Sequence, residues 1–262
     1  MTFEQSLWSC IIPIPAGYNE TIVTPQMSRS VEAQWSFRAE KDGCALVLPD
    51  GRCDIIFRFS IYDAAPPVPI ITGPATETYE VAYAEGDCWT GLRMRPECAA
   101  WVWGHKIKTS ADNVLRGQKA YDHLPQIRKF GSLLSSTGSY IELIKNIEGS
   151  APDGRLCEAV KLIHVSGGRM RLDALARILQ CSTRHLNRLF RANVGIGAKT
   201  YGQLVQFHRA VGLLRTQQIS ITDAALEAGY ADHAHMTRTF RKFGRFVPSN
   251  VPSDLAQPGI LA

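Results

Sequence analysis

No stretch of this sequence approaches 18 uninterrupted apolar residues, so nothing in it reads as a membrane-spanning helix. The opening MTFEQSLWSCIIPIPAGY lacks a basic leader region and a long apolar run, so no signal peptide is expected. Histidine is scarce in the first 150 residues, which hold only His105 and His123. A cupin-type metal site needs several histidines and a glutamate, and is not expected there. The seven cysteines are Cys10, Cys44, Cys53, Cys88, Cys98, Cys157 and Cys181; their number is odd and no pair is spaced C-x-x-C. That argues against a disulfide framework or zinc ribbon and for free thiols in a reducing cytosol, with a redox-sensing pair as the alternative. There is no G-x-S-x-G, no P-loop and no Cys/His pairing at an informative spacing. The expectation is a protein that is not an enzyme and needs no cofactor.

What is present is a long enough chain and an uneven charge. With 262 residues, 45% of them hydrophobic, the chain can build one large or two ordinary domains around a real core. Residues 1–150 carry 14 basic and 17 acidic side chains, a net −3, whereas residues 151–262 carry 15 and 7, a net +8; together these give the overall +5. A neutral-to-acidic front joined to a basic back implies that only the back meets a polyanion, unless the basic surface is merely solvated.

Up to about Met94 the chain reads as short strands between turns. SVEAQWSF (30–37) alternates, and CALVL (44–48) and CDIIFRF (53–59) are apolar and β-branched, with PDG (49–51) as the turn between them. TETYEVAYA (76–84) and CWTGLRM (88–94) complete a small β domain. PECAAWVWG (96–104) changes period and reads as a helix, opened by Pro96 and closed by Gly104. Helical patterns dominate from about Asp122, and GSAPDG (149–154) is the best linker, where the charge balance also changes.

Near the end lies GYADHAHMTRTFRKFG (229–244). Two histidines one residue apart invite a metal reading, but residues at i and i+2 of a helix point roughly 200° apart. Met236, Phe240 and Phe243 recur as one apolar stripe, with Asp232 ahead of it as an N-cap. Ala234, Arg238 and Arg241 fall on the opposite side, which makes a short amphipathic helix with a basic outer face. An offset of 50 residues relates HMTRTFR (235–241) to HLNRLFR (185–191). Leu186 and Phe190 match Met236 and Phe240 on the inner face; Arg184, Arg188 and Arg191 match Ala234, Arg238 and Arg241 on the outer. Each copy follows an Ala/Leu-rich helix and a tight turn, and Ser182 caps the first as Asp232 caps the second. This is helix-turn-helix architecture in tandem, joined by a helix over 199–215.

The C-terminal hundred residues resemble the DNA-binding domain of AraC/XylS-type transcriptional regulators. LARIL..STRHLNRLFR..VG (175–195), RAVGLLR (209–215) and ISITDAALEAGYADHAHMTRTFRKF....P (219–248) carry the resemblance. The family usually has Gly where this chain has Gln180, Pro where it has Ala198, and Arg where it has Gln206. Its closing Gly-x-x-Pro is here Arg245-Phe246-Val247-Pro248. The resemblance implies an α+β protein: a small β-barrel-like domain with helices over 1–150, and an all-α domain of two helix-turn-helix units over 151–262. It implies that Arg184, Asn187 and Arg188 read bases in the first unit, and His233, Ala234, Thr237 and Arg238 in the second, with Arg191 and Arg241 on phosphate. Arg can donate two hydrogen bonds to guanine, and Asn can pair with adenine. His185 and His235 are expected to pack against the preceding turn, with DNA contact as the alternative. Double-stranded DNA and RNA polymerase follow as partners, with a homodimer, in a bacterial cytoplasm.

The front half, through LPDGRCDIIFRF (48–59), TGPAT (72–76) and GLRMRPECAAWVWG (91–104), resembles the small N-terminal domain of one subgroup of these regulators. That implies a sensor or dimerisation module and names no ligand. Asp54, Arg58, Arg93 and Arg95 lie on neighbouring strands and could hold a small anionic effector: a carboxylate, a phosphate or a nucleotide. The alternative is an internal ion pair of Asp54 with Arg93 or Arg95. Trp89, Trp101 and Trp103 line a pocket or fill the core. Two other readings stay open: a ligand-independent DNA-binding dimer, and a cysteine-dependent DNA-repair protein, which needs a reactive thiol in an electropositive niche.

Overall fold

Nine strands are present among the residues that the computed structural model describes, 16–133, 149, 151–216, 219–252 and 255–256. They are β1 (Tyr18–Ile22), β2 (Val31–Arg38), β3 (Gly43–Val47), β4 (Asp54–Ser60), β5 (Val68–Thr72), β6 (Tyr79–Tyr83), β7 (Asp87–Met94), β8 (Val114–Arg116) and β9 (Leu255–Ala256). Six form an open antiparallel sheet in the order β1-β2-β7-β4-β5-β8, and a smaller sheet runs β6-β3-β9. β7 sits between β2 and β4 and all eight of its residues are buried. A strand covered on both faces reads as continuous rather than alternating.

The large sheet separates two apolar layers. Trp35, Phe37, Ile56, Ile70 and Trp89 pack with Ala45 and Val47 of the small sheet. Ile55, Phe57, Ile71, Leu92 and Met94 pack with the short helices α1 (Ala99–Trp103), α2 (Gln118–His123) and α3 (Arg128–Leu133) through Ala99, Val102, Ala120 and Phe130. The expected helix over 96–104 is a 3-10 turn at Pro96–Cys98 that runs into α1. The expected helical tail beyond Leu133 lies outside the described residues up to 148.

The back half is helical except for β9, which pairs in parallel with β3 of the front half, so residues 151–262 are not all-α: α4 (Gly154–Val165), α5 (Leu172–Ile178), α6 (Thr183–Asn193), α7 (Ala198–Thr216), α8 (Ile221–Glu227) and α9 (His233–Thr239). A π-helical turn, Phe240–Gly244, extends α9. Asp153, in the linker candidate, caps α4 by accepting from the backbone N–H groups of Arg155 and Leu156 at 2.9 and 3.1 Å.

The boundary between the halves is packed. Leu48 of the LPDGR stretch is fully buried in the core of the helical half, beside Phe190, Tyr201 and Leu204. The carbonyl of Pro49 accepts from His208 Nε2 at 2.7 Å, and Gly51 lies against Ile196, Tyr201 and Leu204. Arg52 is buried in an ion pair with Glu32, one guanidinium nitrogen 2.9 Å from Oε1. Close by, His164 Nε2 is 2.7 Å from the Tyr201 hydroxyl. Burial drives His164 and His208 down to about 3, so both rings are neutral.

Candidate nucleic-acid interface

Two helix-turn-helix units are built from the same local chemistry. In the first, α5 ends in a left-handed residue, Gln180 (φ 49°), and Cys181 N–H reaches back to the carbonyl of Ala176 at 3.0 Å. In the second, α8 ends at Gly229 (φ 82°), and Tyr230 N–H bonds to the carbonyl of Ala225 at 2.8 Å. Both are Schellman-type stops. Glycine takes this conformation freely, whereas a side chain such as that of Gln180 pays about 1–2 kcal/mol for it. The turn therefore survives the loss of the usual glycine. Ser182 Oγ then caps α6 by accepting from His185 N–H at 3.1 Å, and Asp232 caps α9 through His235 N–H.

The wheels fall as the spacing predicts. Leu186 and Phe190 of α6, and Met236, Phe240 and Phe243 of α9 with its π-helical extension, are fully buried. Arg184, Arg188 and Arg191 are exposed, as are His233, Ala234, Arg238 and Arg241; Asn187 and Thr237 are half-buried. Arg188 donates to His185 Nδ1 at 3.1 Å, and Thr237 Oγ1 donates to the carbonyl of His233 at 2.9 Å. His235 packs edge-on against Tyr230 of the preceding turn, with ring centres 5.2 Å apart.

The long helix α7 joins the units. Its Phe207 packs edge-on against Phe240 at 5.0 Å, and Gln206 donates to the carbonyl of Ala228 at 3.1 Å. The position where the resemblance expects arginine therefore ties α7 to the second turn. A cleft of about 790 Å³ lies between the units, lined by Arg169, Arg171, Thr183, Lys199, Gln203 and His235 among others. Apolar periodicity picks out none of these three basic residues, because they stand at helix starts and turns.

The four front-half candidates do not form one cluster. Asp54 and Arg93 are cross-strand partners on β4 and β7. Asp54 Oδ1 accepts from Trp35 Nε1 at 2.9 Å. Burial raises its carboxyl to about 7, against the pull of Arg93. Arg93 makes a buried ion pair with Glu20 at 3.1 Å. Arg58 lies further along β4, half-exposed, bound to Asp87 at 2.8 Å and lying over Trp89. Arg95 stands one residue past the end of β7 and donates to the carbonyl of Val23 at 2.7 Å. Trp89 and Trp103 are buried core residues.

Residues 175–251 match a family model described as a helix-turn-helix domain. The matched segment runs from α5 to just past the π-helical turn and so takes in both helix-turn-helix units. Among curated proteins, the HTH-type transcriptional activator RhaS of Escherichia coli is 28% identical over 109 residues, 42% of this chain and 39% of that protein. The HTH-type transcriptional regulator GlxA of Rhizobium meliloti is 31% identical over 78 residues, 30% of this chain and 24% of that protein. The chain therefore spans well under half the length of these relatives. Among solved structures, ToxT from Vibrio cholerae covers 89% of this chain and 97% of its own, at 10% identity and a TM-score of 0.42, a likeness too distant to carry chemistry across.

Proposed function

We propose that this chain is a sequence-specific regulator of transcription that binds double-stranded DNA through two major-groove helices, α6 and α9. The observation that carries this is the pairing of two N-capped helices of one build, each with an arginine-bearing outer face, on a single connecting helix. The likeness to RhaS and GlxA, both transcriptional regulators, supports it. Base reading falls to Arg184, Asn187 and Arg188, and to His233, Ala234, Thr237 and Arg238. Ala234 offers only an apolar contact, such as to a thymine methyl. Arg169 and Lys199 add positive charge in the cleft, where Arg171 is paired with Asp173 and where a DNA backbone crossing between the two helices would pass.

Arg191 and Arg241 stand a turn later and serve phosphates. Arg191→Ala and Arg241→Ala should each weaken binding to specific and random duplexes alike, and lower the slope of log affinity against log salt by about one. Titrations across a salt series measure this. Chemical protection of bound DNA tests the proposal itself. Two protected major-groove segments on one face, about 34 Å apart, are expected; protection confined to one half-turn would contradict it.

The front half acts on the DNA-binding half in this proposal, and its buried contacts through Leu48 and Pro49 support that role. An anionic effector at Asp54, Arg58, Arg93 and Arg95 would have to displace carboxylates already in place, Glu20 from Arg93 and Asp87 from Arg58. A homodimer, a contact with RNA polymerase and a cytoplasmic setting belong to the same proposal and rest on the family resemblance. No described helix is long and apolar enough to cross a membrane. The cysteine-dependent repair reading gains no support from the thiols of Cys53, Cys88 and Cys157. Burial pushes all three up, the last to about 11, away from the thiolate form that such chemistry needs.

A further inference from the structure

The far ends of both recognition helices rest on one short segment of the front half. After α6, Gly195 turns the chain (φ 89°) so close to Pro74, Ile107 and Ser110 that a Cβ there would stand 2.9–3.0 Å from each of them. After α9, the carbonyl of Phe243 accepts twice from Thr78, from its backbone N–H and from its Oγ1, both at 2.8 Å. Thr78 and Phe243 are both buried. A carbonyl in the last turn of a helix has no partner within that helix, and a buried one must find its partner elsewhere. Here the partner lies 165 residues away in sequence. Beside it, Glu77 meets Arg245, the left-handed residue (φ 60°) that ends the π-helical turn.

The segment between these two contacts, 73–78, is itself held along its length. Gly73 N–H bonds to the carbonyl of Asn113 at 2.8 Å, and the carbonyl of Pro74 accepts from Asp112 N–H at 3.2 Å. The carbonyl of Ala75 accepts from Gly51 N–H at 3.1 Å, which ties the segment to the LPDGR turn. Thr76 donates to the Asp112 carboxylate through both its N–H and its Oγ1 at 2.6 Å. Thr78 then leads directly into β6, which pairs with β3. An open cleft lies between the two helix-turn-helix units, with Arg169 packed against Gly229 of the second turn at its edge. Alongside α7 and this contact, the segment 73–78 bridges the two units.

We propose that residues 73–78 are a strut that fixes the second recognition helix relative to the first, with Thr78 as its positioning residue. The spacing of the two DNA subsites is then set partly by the front half. This rests on the DNA-binding reading above. It identifies the route by which the front half reaches DNA recognition: any change that moves β6 or the LPDGR turn moves the end of α9. Thr78 touches no base and no phosphate in this account; it acts through the carbonyl of Phe243.

The test uses the full chain with Thr78→Val, which removes the hydroxyl and keeps the branched shape, and Thr78→Ser, which keeps the hydroxyl. Each is titrated against the best selected duplex and against versions with one base pair inserted or deleted between the subsites. Thr78→Val should lose about five-fold of the preference for native spacing, the size of one net hydrogen bond. Thr78→Ser should retain that preference, and discrimination among bases under α6 should stay as in the parent. In the absence of DNA, amide exchange over 240–246 should quicken in Thr78→Val and not in Thr78→Ser, while α6 is unaffected. Unchanged spacing preference together with unchanged exchange would overturn the strut. A parent protein that selects no sequence at all would instead overturn the DNA-binding reading, and the exchange measurement tells the two failures apart.

Discussion

Removing Arg188 and Arg238 together is expected to lower affinity for the best DNA site by about 2–6 kcal/mol, roughly 30-fold to 10⁴-fold. Each side chain stands exposed on the outer face of its own capped helix. An arginine that donates two hydrogen bonds to a guanine is worth about 1–3 kcal/mol of discrimination. The two residues sit on separate units with no shared partner among the described residues, so their losses should add. Arg188 is already steadied by His185 Nδ1 at 3.1 Å, which reduces the side-chain freedom it must give up on binding. Random DNA should lose much less, because phosphate attraction is shared among many cations. Titration of the single and double variants on selected and random duplexes measures both effects. Equal losses on the two DNAs would mean that these arginines hold phosphates rather than read bases.

The second large effect is on stability. Arg52→Ala should destabilise the folded chain by about 3–5 kcal/mol near neutral pH. Arg52 is buried against Glu32, and removing the cation leaves a buried carboxylate without its counter-charge. In the parent, burial works against ionisation of Glu32, but Arg52 outweighs it and holds the carboxyl down to about 2. That pair therefore stabilises the parent from the ordinary carboxylate range upward and is lost only as pH falls toward 2. In Arg52→Ala the sign reverses. Burial now raises Glu32 above its unfolded value, so the variant is relatively best at acid pH and loses stability as pH rises. Urea unfolding at pH 4.5 and pH 7 should show the gap between parent and variant widening with pH. Pairing Arg52→Met with Glu32→Leu should recover much of the loss, because well-packed apolar side chains replace buried ion pairs at little cost. A gap independent of pH would contradict this account of Arg52.

Much of the back half is legible in the sequence because its determinants are local. The stripe Met236, Phe240, Phe243 and the caps Ser182 and Asp232 each lie within a few residues of what they organise. Gln180 is the instructive exception. Its side chain gives no sign of a left-handed turn, yet the capping hydrogen bond from Cys181 and the packing of two helices impose one. The front half is less legible. β5 carries no clear strand signature, because VPIIT follows two prolines and contains Pro69, and proline within a run argues against a strand. Asp54 and Arg93 are visible as possible partners, but Glu20, the carboxylate that Arg93 pairs with, comes from a polar strand 73 residues earlier. The contacts of Leu48, Pro49 and Thr78 with the helical half carry no local pattern at all. The bonds of Pro49 and Thr78 span 159 and 165 residues, and all three contacts become apparent only when the two halves are seen packed.

The central claim is that two helices of this chain read two DNA segments together. Selection of bound duplexes from a random pool by the full chain tests it most directly. Two short enriched blocks, separated by about one helical turn of 10 base pairs, are the expected result. Enrichment of a single block, or of none while non-specific binding persists, would contradict it.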